Sequence, residues 1–447
     1  MGIRRITCPE SGLLSARRRA CALAVLCVSL LVVSLDNTIL NIALPALVVQ
    51  LHATSTQLQW IVDAYAVVFG GLLLVAGSLG DRIGRKRVFL AGLLGFGAGS
   101  AGSAFATGVD AQVVSRAVMG LGAAAVMPAT LSIIMDLFRD DRGRARAIGL
   151  WSATSGLGIA IGPIAGGWLL ARFWWGSVFF VNIPFVVLGA VAALALVPES
   201  RDTERRRLDP VGAAASVAGL SGLLWAVIES PQQGWHSPMV LGAGTAALAV
   251  LGFFVFWERR TASPMLVLDP FGDRRFSVSV TAVAFAVFVL MGTMFLLTQY
   301  LQFALGYSPM AAGLRILPVA GVVAVAAPAS TALDRWFGTK AVVASALACL
   351  AGGLWVLAGT TPGDGFAHAL PGLLLLGLGA GSAIAPATAA MAATLPRDRA
   401  GVGSATNGSA LQIGGALGVA VFGSLRGPRA VRPVPRLGLV GVTTRRR

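Results

Sequence analysis

The chain has 447 residues, 56% of them hydrophobic and 12% charged, with a mean hydropathy of +0.79. An ordinary soluble protein is about 25% charged, so this composition excludes a soluble globular protein and points to an integral membrane protein. The net charge of +16 and pI near 11.4 do not signal nucleic-acid binding, because the basic residues fall in small clusters separated by long apolar runs rather than in one contiguous patch.

A helix needs about 20 mostly apolar residues to cross the hydrocarbon core of a bilayer. Runs of that length are predicted at thirteen places: 20–43, 57–79, 88–108, 111–135, 146–170, 177–197, 210–229, 239–257, 276–301, 311–332, 341–360, 367–393 and 401–425. No stretch alternates in the manner of a barrel strand. The expected fold class is all-α.

Lys and Arg set the orientation. With the N-terminus cytoplasmic, the inside segments hold 25 of the 35 basic residues, and the outside loops hold only Arg172. This agrees with the positive-inside rule and predicts a multi-pass protein of the cell membrane with a cytoplasmic N-terminus. The first apolar run, behind Arg17 to Arg19, is longer than the about 7–15 residues of a signal-peptide core, so it reads as span one. Cys8, Cys21, Cys27 and Cys349 lack metal-site spacing, and neither disulfide, metal nor cofactor is expected.

Span one contains "SLLVVSLDNTILNIALP" at 29–45, with a carboxylate, Asp36, inside an apolar run. At 1.5 Å per residue from position 20, Asp36 lies about 24 Å along a core of about 30 Å, in its outer third. Span two enters from the other side and carries Asp63 about 9 Å down; span four carries Arg116 at a similar depth. Two acids and a base therefore share a level. An ionisable group in a span faces a partner or a cavity and titrates when its surroundings change. Asp36, Arg116 and Asp63 are thus the candidates for proton coupling, Asp36 as the carboxylate that cycles and Arg116 as the group that biases it. Two duller readings compete: Asp63 as a solvated acid near a helix start, and Arg116 as a side chain that snorkels outward.

The loop after span two reads "GSLGDRIGRK" at 77–86. Gly77 and Gly84 permit tight turning, while Asp81, Arg82, Arg85 and Lys86 invite ion pairs with neighbouring helix ends. Asp136, at the end of span four, is a partner for Arg82 or Arg85. Span five contains "GLGIAIGPIAGGWL", with Gly158, Gly162, Pro163, Gly166 and Gly167, where glycines four apart permit close helix packing. It follows no strand and is not a nucleotide loop.

Two further features concern organisation. "GLGAAAVMPAT" from Gly120 in span four is echoed by "GLGAGSAIAPAT" from Gly377 in span twelve, and "GSLGDRIGRKRV" from Gly77 by "TALDRWFGTKAV" from Thr331. The shared offset of eight spans implies two related halves with two spans inserted between them. The predicted organisation is a cytoplasmic N-terminus (1–19), a six-helix bundle (20–198), a charged linker and two inserted spans (199–257), a second bundle of five spans (258–425) and an Arg- and Pro-rich tail (426–447). That tail has seven arginines and no acid, against the charge pattern of the preceding loops, and is expected to be a frame-shifted or truncated end in place of a fourteenth span.

The 77–86 loop resembles the motif between spans two and three of the major facilitator superfamily. The span-five glycines resemble the motif that marks proton antiporters within it. "LDNTILNIALP" at 35–45, "QWIVDAYAV" at 59–67, "WWGSVFFVNIP" at 174–184 and "QYLQFALGYSPMAAGLRILP" at 299–318 look like the fourteen-span drug:proton antiporters of the QacA/EmrB type. The resemblance covers residues 20 to about 425. It implies two pseudo-symmetric helix bundles and proton-driven efflux of hydrophobic or cationic drugs, with protons and a small molecule as partners and no covalent chemistry; a monomer is expected, although nothing in the sequence fixes the oligomeric state. Trp60, Tyr65, Gln299, Tyr300 and Gln302 are the candidates for substrate contact, since aromatic faces attract cations. Alternatives are an exporter of one metabolite or self-made antibiotic, an inactive truncated transporter, and a sensor that does not transport.

Overall fold

A computed structural model describes residues 15–138, 140–200, 209–261, 264, 266–361, 363–395 and 400–425. The tail at 426–447 and the linker arginines at 201–207 lie outside the described residues. The thirteen helices are α1 (Ala16–Leu51), α2 (Ser55–Ile83), α3 (Arg85–Ala104), α4 (Val109–Leu137), α5 (Asp141–Arg172), α6 (Ser177–Phe180), α7 (Asn182–Leu196), α8 (Pro210–Gln233), α9 (Pro238–Arg260), α10 (Arg274–Gln299), α11 (Pro309–Ala358), α12 (Gly365–Ala393) and α13 (Ala400–Ser424). A π-helical turn, Tyr300–Ala304, extends α10.

All thirteen expected spans are helical, but their joints differ from the sequence expectation. Span six is divided into α6 and α7. Spans ten and eleven form the single run α11, broken only at Gly338, whose φ of 77° interrupts the helical geometry. The two parts of α11 run in opposite directions beside α12: Gly377 of α12 meets the Val319 carbonyl on the first part, while Gly379 meets that of Ala346 on the second. Among the described residues nine helical stretches are long and apolar enough to cross a membrane, α11 counting as one. The molecule is a multi-pass helical membrane protein.

The repeat seen in the sequence has a physical counterpart. An ideal Cβ on Gly120 would lie 2.5 Å from the Tyr65 carbonyl oxygen, so α4 packs backbone to backbone on α2; one on Gly377 would lie 2.9 Å from the Val319 carbonyl oxygen, bringing α12 onto α11 in the same way. α5 lies along α1 through Gly158, Gly162 and Gly166, and α13 lies along α10 through Gly414 and Gly418. Two apolar cores follow, one mainly of α1–α7 with Phe295 of α10 and Val419 of α13, and one mainly of α10–α12 with Ile42 of α1. A third cluster joins Val67 of α2, Leu224 and Ile228 of α8, and Ala416 and Ala420 of α13.

The inserted pair is asymmetric. α8 packs on both α2 and α13, whereas α9 packs on α8 and presents Met239, Leu241, Leu248, Phe253 and Phe256 outward. The bundles meet from the face opposite the start of α1 down to Gly70 and Leu73 of α2, which touch Gln412 and Gly408 of α13. There Gln59 of α2 donates to the Ala420 carbonyl of α13 (2.9 Å), Gly167 of α5 abuts Met310 of α11, and Gln302 donates to the Ile42 carbonyl of α1 (3.0 Å).

Candidate functional site

Asp36 sits about two and a half turns before Pro45 in α1, on the side of that helix turned into the first bundle. Its Oδ2 accepts from Arg116 Nη1 at 2.5 Å, and the two side chains are 0% and 1% exposed. Asn182, the first residue of α7, donates from Nδ2 to Asp36 Oδ1 (3.2 Å) and to Ser100 Oγ (3.0 Å). Ser100 in turn donates to the Phe179 carbonyl (2.7 Å). The break between α6 and α7 is what brings Asn182 and Phe179 to this point.

Arg116 has further supports. Nε donates to the Ile61 carbonyl (3.2 Å), and the guanidinium lies 4.4 Å from the centre of the Tyr65 ring. Its snorkelling alternative is thereby corrected: a buried carboxylate and an aromatic face hold it inward more strongly than the interface attracts it. Gln112, one turn earlier, is fully buried, and its side-chain amide has no partner among the described residues. The attraction of a buried ion pair repays its desolvation only where further contacts satisfy each charge; here Asn182 supports Asp36, while the Ile61 carbonyl, the Tyr65 ring and Met119 Sδ surround Arg116.

Asp63 shares the expected depth but not the cluster. It is 0% exposed, not solvated, and neither carboxylate oxygen has a partner among the described residues. It lies one turn from Gln59 and one from Val67, both of which face α13, whereas Ile61 and Tyr65 face Arg116. Depth along a helix fixes height but not direction.

The 77–86 segment is arranged as a joint. Gly84 links α2 to α3 with φ +120°, and a Cβ there would lie 2.5 Å from Glu199 Oε1. Arg85 pairs with Asp136 of α4 at 2.6 Å. The Lys86 ammonium donates to the Leu194 carbonyl (2.8 Å) and its N–H to Glu199 (3.2 Å), so the joint is fastened to the end of α7. Gly77 faces Pro128 of α4. Arg82 lies exposed in the last turn of α2; the side chain of Asp81 lies outside the described part.

In α5, a Cβ on Gly162 would overlap Thr38 Oγ1, one on Gly158 would lie 2.9 Å from the Leu31 carbonyl oxygen, and one on Gly166 2.8 Å from Ile39 Cγ1. The seam therefore clasps the stretch of α1 that carries Asp36. Pro163 and Gly167 face the other way: the Pro163 carbonyl meets Gly313, and Gly167 meets Met310, both on α11.

The five substrate candidates do not converge. Tyr65 is buried under Arg116. Gln299, 3% exposed, lines a hollow on the opposite face. Gln302 bonds to α1, Tyr300 donates to the Thr361 carbonyl (3.1 Å), and Trp60 lines a different recess with Gln57 and Asp110. Beside Tyr300, Asp364 accepts from the Thr361 N–H and hydroxyl, which hold its carboxyl below the usual carboxylate range. Sequence reasoning missed Asn182 and Ser100, and the second glycine seam on α13. Asn182 lies inside the quoted "WWGSVFFVNIP", and most buried side-chain amides are hydrogen-bonded.

Comparison with known proteins identifies the lineage. The family model described as Major Facilitator Superfamily matches residues 26–228 and again 210–419. The chain is 35% identical over 409 residues to the multidrug efflux pump LfrA of Mycolicibacterium smegmatis, covering 90% of this chain and 80% of that one. It is 33% identical over 422 residues to the tetracenomycin C resistance and export protein of Streptomyces glaucescens (94% and 78%). Among solved structures, a bacterial homolog of the human lysosomal transporter Spinster, inward-facing and unoccupied, matches with a TM-score of 0.63 at 19% identity (91% of this chain, 82% of that one). The human organic anion transporter MFSD10 matches with a TM-score of 0.61 at 18% identity (91% and 93%). The chain belongs to the Major Facilitator Superfamily.

Proposed function

We propose that this protein is a drug:proton antiporter of the fourteen-span type, exporting hydrophobic or cationic small molecules across the cell membrane with its N-terminus in the cytoplasm. The observation that carries this reading is the buried Asp36–Arg116 pair on a helix clasped by a glycine seam. Ionisable groups inside a membrane are costly and so mark a functional site by default, and the names of the relatives, a multidrug efflux pump and an export protein, supply the substrate class.

In the proposed cycle Asp36 is the proton-carrying group. Protonation from outside discharges the pair, and loss of the proton inside restores it. Asn182 and Ser100 orient Asp36, and α5 transmits any shift of α1 to α11 through Gly167 and Gly313. Gly77, Asp81, Arg82, Gly84, Arg85 and Lys86 form the joint about which the first bundle moves. The contacts between bundles run from the face opposite the N-terminus, the outer face in this orientation, down to Leu73 and Gly408, so the arrangement is closed at the outer face. Asp63, at the α2–α13 contact, is a second proton-coupling group. Among the substrate candidates, Gln299 and Gln302 are placed to report opening between the bundles.

Cells expressing the protein and loaded with ethidium test this reading. Efflux should accelerate on expression and stop when a protonophore collapses the proton gradient; efflux indifferent to the protonophore would refute it. The narrower reading, export of a single compound, is favoured by relatives named for one antibiotic; failure of unrelated drugs to compete with ethidium would select it.

A further inference from the structure

On the face opposite the N-terminus, α1, α2, α8, α10 and α13 enclose a hollow of about 360 Å³. It is separate from Asp36, which is sealed inside the first bundle. Its walls include Thr56 and Gln59 of α2, Ile228 and Gln232 of α8, Gln299 of α10 and Gly423 of α13. Its size falls in the range of small-molecule sites, about 300–1,000 Å³. No acidic or basic residue is among its described lining. A charged ligand would therefore lose its hydration without a counter-charge.

One polar group is set for a ligand. Gln59 is 2% exposed, and its amide nitrogen is committed to the Ala420 carbonyl (2.9 Å), the Val419 carbonyl (3.5 Å) and Ser424 Oγ (3.4 Å). A Cβ on Gly423 would collide with this amide, so the side chain is fixed. Oε1 is left with no donor among the described residues, on a side chain that lines the hollow. A fixed acceptor in an otherwise uncharged wall selects a ligand with an N–H or O–H.

The hollow also depends on conformation. α8 follows α2 along its length, with Ser216 donating to the Gly71 carbonyl (3.4 Å) and Gln232 to Thr56. It reaches α13 at this face, where Ser424 donates to the Val227 carbonyl (2.8 Å). Separating α2 from α13 removes one wall. We infer that this hollow is a second small-molecule site, taking an uncharged amphipathic ligand with a hydrogen-bond donor, and that its occupancy holds the bundles together at this face. By mass action a ligand bound only in the closed arrangement stabilises it and slows alternation. This goes beyond the export reading and stands without it.

The test uses the full chain in lipid nanodiscs, titrated with N-phenyl-1-naphthylamine, an uncharged amine with one N–H that fluoresces in apolar surroundings. Emission above that of empty nanodiscs is expected to saturate. Ser55→Trp, which fills the hollow from the first turn of α2, should weaken binding at least tenfold, and Gln59→Leu several-fold. Should Ser55→Trp fail to fold, Ser55→Cys in a chain whose native cysteines are replaced by serine reads the same site. The saturating probe is then expected to shield the introduced thiol from a membrane-impermeant maleimide. Absence of a saturable component, unchanged affinity in both folded variants, or labelling at position 55 indifferent to the probe would overturn the proposal.

Discussion

A carboxylate and a guanidinium 2.5 Å apart and removed from solvent are stable together and unstable apart. Removing one partner of a buried pair costs about 3–5 kcal/mol, because the survivor stays charged and buried. Arg116→Gln is therefore expected to lower the thermal midpoint in detergent strongly. Asp36→Asn combined with Arg116→Gln should recover much of the loss, and strictly additive losses would show that the two residues do not interact. At this scale the sequence was partly legible. Asp36 and Arg116 stood out as charges within apolar runs, and counting residues along their helices gave a common height. The same count admitted Asp63, which faces α13, because the direction of a side chain depends on which helices surround it. Asn182 and Ser100 did not stand out, since uncharged polar residues occur in spans without special meaning and only packing makes them partners of Asp36.

Two glycine seams hold the paired helices, and bulk added to either should separate them. Gly162→Val with Gly166→Val is expected to abolish transport, since a Cβ at position 162 would already overlap Thr38. Gly418→Val should act comparably in the second bundle, where the Cβ would overlap the Phe288 carbonyl. Export by both variants at the wild-type rate, measured on protein present at equal membrane levels, would mean that close approach at these seams is dispensable. Gly84→Ala is expected to impair export for a different reason: φ of +120° disfavours any side chain, and Glu199 occupies the space. The span-five seam was readable from its four-residue spacing. The α13 seam has the same spacing but no separate signal, and the π-helical turn after α10 and the break at Val181 leave no mark in hydropathy, which reports length and polarity but not local winding.

For the whole molecule, the repeat and the apolar runs were enough to read an all-α, two-bundle membrane protein, because crossing a bilayer leaves so few architectures. The face on which the bundles meet was not readable, since one sequence serves every state of an alternating cycle. Gly70→Cys with Gln412→Cys tests the α2–α13 contact at mid-height: a Cβ at position 70 would lie 3.0 Å from the Cβ of Gln412, and a small outward shift brings the pair to the about 3.5–4.5 Å of a disulfide. In a chain without its native cysteines, oxidation should form the cross-link and stop export, and reduction should restore it. Undiminished export with the bond formed would mean that α2 and α13 need not part.

The central claim, that Asp36 exchanges protons for drug, is tested most directly in sealed proteoliposomes with a pH-sensitive dye inside. An imposed ethidium gradient across vesicles holding the wild-type chain should drive protons in the direction opposite to the drug. Vesicles holding Asp36→Asn, prepared from protein that elutes as the wild type does in size-exclusion chromatography and unable to alternate between charged and neutral forms, should show no drug-dependent pH change. Full coupled proton movement by Asp36→Asn would contradict the account.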